Sequence, residues 1–87
     1  MGQGKILIVD DDPDITEAMT VVLENKGYEV RSALDSDQGL DRLKEARPDL
    51  IILDVMMRTS QEGFEFAREI KQNAQFKDIP ILMWTAV

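Results

Sequence analysis

The chain has 87 residues, 44% of them hydrophobic and 31% charged, with a formal net charge of -7, a composition that suits one soluble globular domain with a modest core. It contains no cysteine and no histidine, which excludes disulfides, thiolate chemistry, the usual general base and the commonest zinc ligand, so that any bound metal must be held by oxygen. The acidic balance argues against nucleic-acid binding, which needs clustered Lys and Arg. No apolar run approaches the ~20 residues needed to cross a bilayer, and the opening Met1-Gly-Gln-Gly-Lys5 lacks a signal peptide's hydrophobic region, so the expectation is a cytoplasmic protein with no membrane partner.

Taken in order, Lys5-Ile-Leu-Ile-Val-Asp10 opens with large apolar residues and no polar alternation, the pattern of a parallel strand buried on both faces. Asp12 and Pro13 form a helix start, since Asp12 can cap free N–H groups and Pro13 loses no hydrogen bond at the first helical position. Ile15, Ala18, Met19, Val22 and Leu23 supply an apolar side for a helix from Pro13 to about Lys26, and Gly27 stops it. Tyr28-Glu-Val-Arg-Ser-Ala33 alternates, as a strand nearer a sheet edge does. Asp35 or Ser36 caps a second helix with Leu40, Leu43 and Ala46 inward, ended by Pro48.

Leu50-Ile-Ile-Leu-Asp-Val-Met-Met57 is the central stretch, an apolar run with Asp54 set into it. Stripping water from an ionised carboxylate costs several kcal/mol or more unless a cation or hydrogen bonds replace it, which puts Asp54 at the strand's C-terminal end. The polar loop Arg58-Thr-Ser-Gln-Glu-Gly63 leads to a third helix with Phe64, Ala67 and Ile70 inward, running to about Asn73. Phe66 lies off that stripe. Asp78-Ile-Pro80 introduces a last strand, Ile81-Leu-Met-Trp-Thr85.

Strand and helix thus alternate through four strands and three helices, the pattern of a doubly wound parallel sheet. Right-handed crossovers with one reversal after the second strand place the first and third strands side by side, in the order 2-1-3-4. Asp10, Asp11 and Asp54 then meet at the C-terminal edge, where open α/β sheets bind ligands. Converging carboxylates repel, so a proton or a cation must hold them together. Mg²⁺ is the natural candidate, because it favours carboxylate and carbonyl oxygens and bridges protein acids to phosphate oxygens. With no His, Cys or activated Ser, the remaining nucleophile is a carboxylate, and carboxylates form acyl phosphates.

Ile6-Leu-Ile-Val-Asp-Asp-Asp-Pro13, Pro48-Asp-Leu-Ile-Ile-Leu-Asp-Val-Met-Met57 and Pro80-Ile-Leu-Met-Trp-Thr-Ala86 resemble the first, third and fourth strand signatures of two-component response-regulator receiver domains. With Gly27-Tyr-Glu-Val30, the likeness covers almost the whole chain from Lys5. The resemblance implies a flavodoxin-like sheet and a single partial receiver domain over residues 1-87. It implies a signalling domain rather than an enzyme, which takes a phosphoryl group from a histidine kinase or histidine phosphotransfer protein. Asp54 is by resemblance the phosphoacceptor. Asp10 and Asp11, with Asp54 and the Met56 backbone carbonyl, would hold Mg²⁺. Thr85 would contact the phosphoryl group and couple it to conformational change, with the Ala86 N–H nearby.

Two departures stand out. The family usually carries Pro four residues and Gly eight residues after the phosphoacceptor, whereas here Arg58 takes the Pro position and Gly63 arrives one residue late. The family also continues past the fourth strand with a further helix, a fifth strand bearing an essential Lys, and a last helix, so the chain resembles the first two-thirds of a receiver. The alternative is therefore a receiver-like interaction module that is not phosphorylated. The fourth strand is expected to be a bare sheet edge through which the chain forms homo-oligomers. Two other readings fail or weaken on single residues: the EF-hand spacing of Asp10, Asp12 and Asp14 lacks its Gly and Glu at Ile15 and Val21, and a dehalogenase-like phosphatase opening has Asp14 where Thr or Val is wanted.

Overall fold

The computed structural model describes residues 4–55, 57 and 60–84. The elements follow the predicted alternation: β1 (Gly4–Val9), α1 (Pro13–Asn25), β2 (Tyr28–Ala33), α2 (Ser36–Glu45), β3 (Leu50–Asp54), α3 (Ser60–Gln72) and β4 (Ile81–Trp84). The four strands form one parallel sheet in the order β2-β1-β3-β4. The fold is α/β of the flavodoxin-like, doubly wound kind.

Helix boundaries are set by the capping chemistry. The Asp12 carboxylate accepts from the Asp14 N–H at 2.9 Å and the Ile15 N–H at 3.4 Å, with Pro13 following it, so the orphan donors of the first turn are satisfied. Asp35 does the same for α2 by accepting from Gln38 at 2.8 Å. At the end of α1, Gly27 takes φ +96° and its N–H closes on the Glu24 carbonyl at 3.0 Å, a left-handed turn that glycine enters without a Cβ penalty.

The sheet separates two apolar layers. On one face Leu7, Val9, Ile51 and Leu53 pack with Leu43 of α2, with Phe66 and Ile70 of α3, and with Phe76 and Ile79. On the other face Ile6, Ile8 and Ile52 pack against half-buried Met19 and Leu23 of α1 and Trp84 of β4. Alternate residues of β1 and β3 therefore serve both layers, which explains their unbroken apolar runs.

Two helix faces differ from the sequence expectation. In α3 the inward residues are Gly63, Phe66, Ala67 and Ile70, while Phe64 is 54% exposed. Positions 63, 66, 67 and 70 follow the 3, 4, 7 spacing of one helical face, whereas 64, 67 and 70 advance by threes and drift off it. Phe64 therefore falls outside the face, whose first member, Gly63, has no side chain for an apolar pattern to register. In α1, Val22 is 54% exposed and Ala18 also faces outward, while Thr16 is buried and Thr20 half-buried beside Met19 and Leu23. Both threonines hide their hydroxyls inside the helix: Thr16 Oγ1 donates to the Pro13 carbonyl at 3.0 Å and Thr20 Oγ1 to the Thr16 carbonyl at 2.6 Å. With its hydroxyl satisfied within the helix, Thr16 can be buried at 5% exposure, a position that polarity patterning assigns to an apolar residue.

Candidate functional site

β1 and β3 are neighbours, with Val9 opposite Leu53. The residue after each of these positions is an aspartate, so the topology alone brings Asp10 and Asp54 to the same point of the C-terminal edge. Asp11 follows in the turn into α1. One carboxylate oxygen from each of Asp10, Asp11 and Asp54 lies within 4.8 Å of the other two. The three acids expected to converge do so.

Their environments differ from those of surface acids. Asp10 is fully buried and Asp54 only 7% exposed. The Asp10 backbone N–H donates to the Ala33 carbonyl at 3.0 Å, fixing the end of β1 against β2. Its Oδ1 accepts the Asp12 N–H at 2.9 Å, while its Oδ2 is buried with no hydrogen-bond partner among the described residues. Burial pushes the Asp10 carboxyl above the ordinary range; the Asp12 N–H opposes this, and the charges of Asp54, Asp11 and Asp12 push it up again. A buried carboxylate oxygen with no donor among the described residues, on a residue that converges with two more carboxylates, is a group that a counter-charge would stabilise. An oxygen-preferring divalent cation fits that donor set and would satisfy it.

β4 delimits the site on its other side. Trp84 lies opposite Asp54 in the parallel register, and the Val55 N–H donates to the Trp84 carbonyl at 3.0 Å. The residue that follows Trp84 in sequence is Thr85, the expected phosphoryl contact. Thr85, Ala86 and Met56, whose carbonyl is the expected further metal ligand, lie outside the described residues, as does Arg58.

Gly63, expected at the end of a polar loop and singled out only for its displaced family spacing, lies inside α3. Gly63, in the first turn of α3, rests on the Asp54 carbonyl and on Val55. The available signal was that Gly63, Phe66, Ala67 and Ile70 share one helical face, which extends the helix back over the expected loop.

The comparisons agree with this geometry. Residues 6–87 match the response regulator receiver domain, and the chain belongs to that family. Over 83 residues it is 39% identical to the DNA-binding dual master transcriptional regulator RpaA of Synechocystis, covering 95% of this chain and 34% of that protein. It is 43% identical over 81 residues to the phosphate regulon transcriptional regulatory protein PhoB of Pseudomonas aeruginosa, covering 93% and 35%. Among solved structures, the N-terminal domain of a response regulator receiver protein from Methanoculleus marisnigri superposes with a TM-score of 0.91 at 37% identity, covering 99% of this chain and 69% of that one. The chemotaxis response regulator CheY4 of Vibrio cholerae does so with 0.83 at 40%, covering 91% and 65%. The chain thus spans about a third of the length of the curated relatives it matches. Receiver domains are signalling domains of phosphorylation-based two-component systems and typically bind Mg²⁺ at an acidic pocket.

Proposed function

We propose that this chain is a phosphorylation-controlled signalling receiver that accepts a phosphoryl group on Asp54 from a partner histidine kinase or histidine phosphotransfer protein in a Mg²⁺-dependent reaction. The observation that carries this reading is the convergence of Asp10, Asp11 and Asp54, with the buried Asp10 Oδ2 lacking a hydrogen-bond partner among the described residues.

Asp54 would act as the nucleophile: a carboxylate oxygen attacks the donor phosphorus, a new O–P bond forms, and the bond from phosphorus to the donor histidine nitrogen breaks as that nitrogen keeps the electron pair. Asp10, Asp11, Asp54 and the Met56 carbonyl would hold Mg²⁺. When bound, the metal supplies positive charge against the carboxylates and the phosphoryl oxygens. Asp12 holds Asp10 in place through its N–H and starts α1 through its carboxylate, so one residue couples the metal-binding acid to the helix that follows it. Thr85, next to Trp84, would meet the phosphoryl oxygens and carry the switch.

Two further points belong to this reading. Self-association along β4 belongs to the same proposal, supported by Leu82 and Met83 on that strand, which are 55% and 37% exposed. No described helix is long and apolar enough to cross a membrane, and a receiver that meets its kinase in the cytoplasm is the setting proposed.

Incubation with acetyl phosphate and Mg²⁺, followed by intact-mass and peptide mapping, tests the assignment. One phosphoryl group on Asp54, absent from Asp54→Asn and after chelation, is expected. A phosphoryl group trapped on Asp10 would support phosphatase-like chemistry instead, and no transfer would favour an inert interaction module. Light scattering coupled to size exclusion tests self-association, for which a monomer at all concentrations is the contrary result.

A further inference from the structure

Gly63 occupies a helical position where glycine is ordinarily a poor choice, and its surroundings explain its presence. A Cβ at this position would lie 2.8 Å from the Asp54 carbonyl oxygen, 2.8 Å from Val55 Cα and 3.0 Å from the Val55 carbonyl oxygen. All three are backbone atoms, which cannot swing aside as a side-chain tip can. The first turn of α3 is therefore seated directly on the chain at the point where β3 delivers Asp54.

The same turn has a second anchor. Glu62 Oε2 accepts from the Ser36 hydroxyl at 3.0 Å and from the Ser36 N–H at 3.3 Å. Ser36 is the first residue of α2, directly after its cap Asp35, so the bond pairs a carboxylate with the electropositive end of that helix. On one side α3 is thereby tied to α2, and on the other it bears on Asp54.

We propose that Gly63 is a positioning residue for Asp54: its missing side chain lets α3 seat on the Asp54–Val55 backbone, and the Glu62–Ser36 bond holds that seat in register. This rests on the reading of Asp54 as phosphoacceptor. Reaction rates fall steeply when a reacting group is displaced by about 1 Å, so an added methyl at Gly63 acts on transfer through the carbonyl it displaces, without touching the donor. The one-residue shift of this glycine relative to the family spacing does not remove the close approach.

The test compares wild type with Gly63→Ala for phosphorylation by acetyl phosphate at saturating Mg²⁺, measured by intact mass across donor concentrations, alongside thermal melts. Ile70→Val, at the other end of the same buried stripe, serves as the control for simple loss of stability. The expected result is a maximal rate for folded Gly63→Ala reduced about tenfold or more, with the half-saturating donor concentration changed less than twofold, while Ile70→Val melts earlier at an unchanged rate. Equal maximal rates in wild type and Gly63→Ala overturn the positioning role and leave the phosphoacceptor reading standing. Absence of transfer to wild-type Asp54 overturns both. Should Gly63→Ala not fold, Ser36→Ala loosens the same turn without adding an atom to it; a threefold fall in maximal rate is expected, and an unchanged rate overturns the proposal.

Discussion

The ring of Phe66 fills the space that a side chain on Gly39 would occupy: a Cβ there would sit 2.8 Å from Phe66 Cζ and 3.1 Å from Cε1. Without a side chain at Gly39, α2 leaves room for Phe66 of α3, and Val9 of β1 borders the same space. Phe66 is 1% exposed, whereas Phe64, two residues earlier, is 54% exposed. Truncating a buried Phe removes its transfer energy and leaves a cavity, so Phe66→Ala should cost about 3–5 kcal/mol, comparable with a small domain's whole stability. Phe64→Ala should stay within about 0.5 kcal/mol. Urea denaturation followed by circular dichroism separates the two, and similar losses for both would mean that the packed face is wrongly assigned.

Because the Gly39 contact is with a ring tip rather than backbone, its effect should be conditional. Gly39→Ala alone forces overpacking, at about 1–3 kcal/mol, whereas in a Phe66→Leu background the added methyl meets a shorter side chain and should cost less. A double-mutant cycle reads this as a coupling of about 0.5 kcal/mol or more. Strict additivity would show that Gly39 and Phe66 do not share the space.

Acids at the ends of apolar strands are legible from sequence, because burial of the strand and the cost of a buried charge together locate Asp10 and Asp54. Alternation of strand and helix, with right-handed crossovers and one reversal after β2, then leads to the observed order β2-β1-β3-β4, and with it the meeting of acids from distant parts of the chain. The residues that escaped notice are those whose role contradicts their type. Thr16 looks polar but satisfies its own hydroxyl within the helix and is buried. Gly63 has no hydrophobicity to count, yet it heads the inward face of α3. Phe76 and Ile79 are buried in the segment between α3 and β4, where no helical or strand period exists to betray them. There the chain is held by side chains reaching from elsewhere: Lys71 Nζ donates to the Lys77 and Ile79 carbonyls at 3.3 and 3.0 Å, and the Arg47 guanidinium donates to the Gln75 carbonyl.

The left-handed turn at Gly27 gives a simpler test of local backbone. With φ at +96°, an alanine there would bear a strain of about 1–2 kcal/mol. Gly27→Ala should lower stability by that amount, with Mg²⁺ binding unchanged because the turn lies at the opposite end of α1 from Asp12. An unaltered denaturation midpoint would show that the turn relaxes without strain.

Asp10 makes stability depend on pH in a definite direction. Its carboxyl is raised above the ordinary value of 3.8, chiefly by burial, so the folded chain binds this proton more tightly than the unfolded chain does. Stability from this group is greatest at low pH and falls as pH rises from the ordinary carboxylate range through the raised folded value. Asp10→Asn keeps an oxygen for the Asp12 N–H and presents an amide to the neighbouring carboxylates. At neutral pH and without metal it should be more stable than wild type by roughly 1–3 kcal/mol, the scale of like-charge repulsion at such separations in a partly screened site. The difference should shrink on acidification. A wild type that is the more stable of the two in the presence of chelator would show that Asp10 has a compensating partner.

Metal binding should reverse that order. Three carboxylates within 4.8 Å of one another are mutually destabilising alone and mutually useful around a divalent cation, so Mg²⁺ should raise the melting temperature of wild type and leave Asp10→Asn little affected. Binding to the native state alone stabilises by about 2.7 kcal/mol at a hundredfold excess over Kd. Protonation of Asp10 competes with the cation, so the Mg²⁺ effect should fade as pH drops through the raised value of that group. Trp84, opposite Asp54 in the sheet, provides a fluorescence signal for the titration. Asp11→Asn removes one charge from the set without entering the buried core, and it should weaken Mg²⁺ at least about tenfold, a loss near 1.4 kcal/mol. An identical Mg²⁺ response in Asp11→Asn and wild type would remove the metal from this cluster.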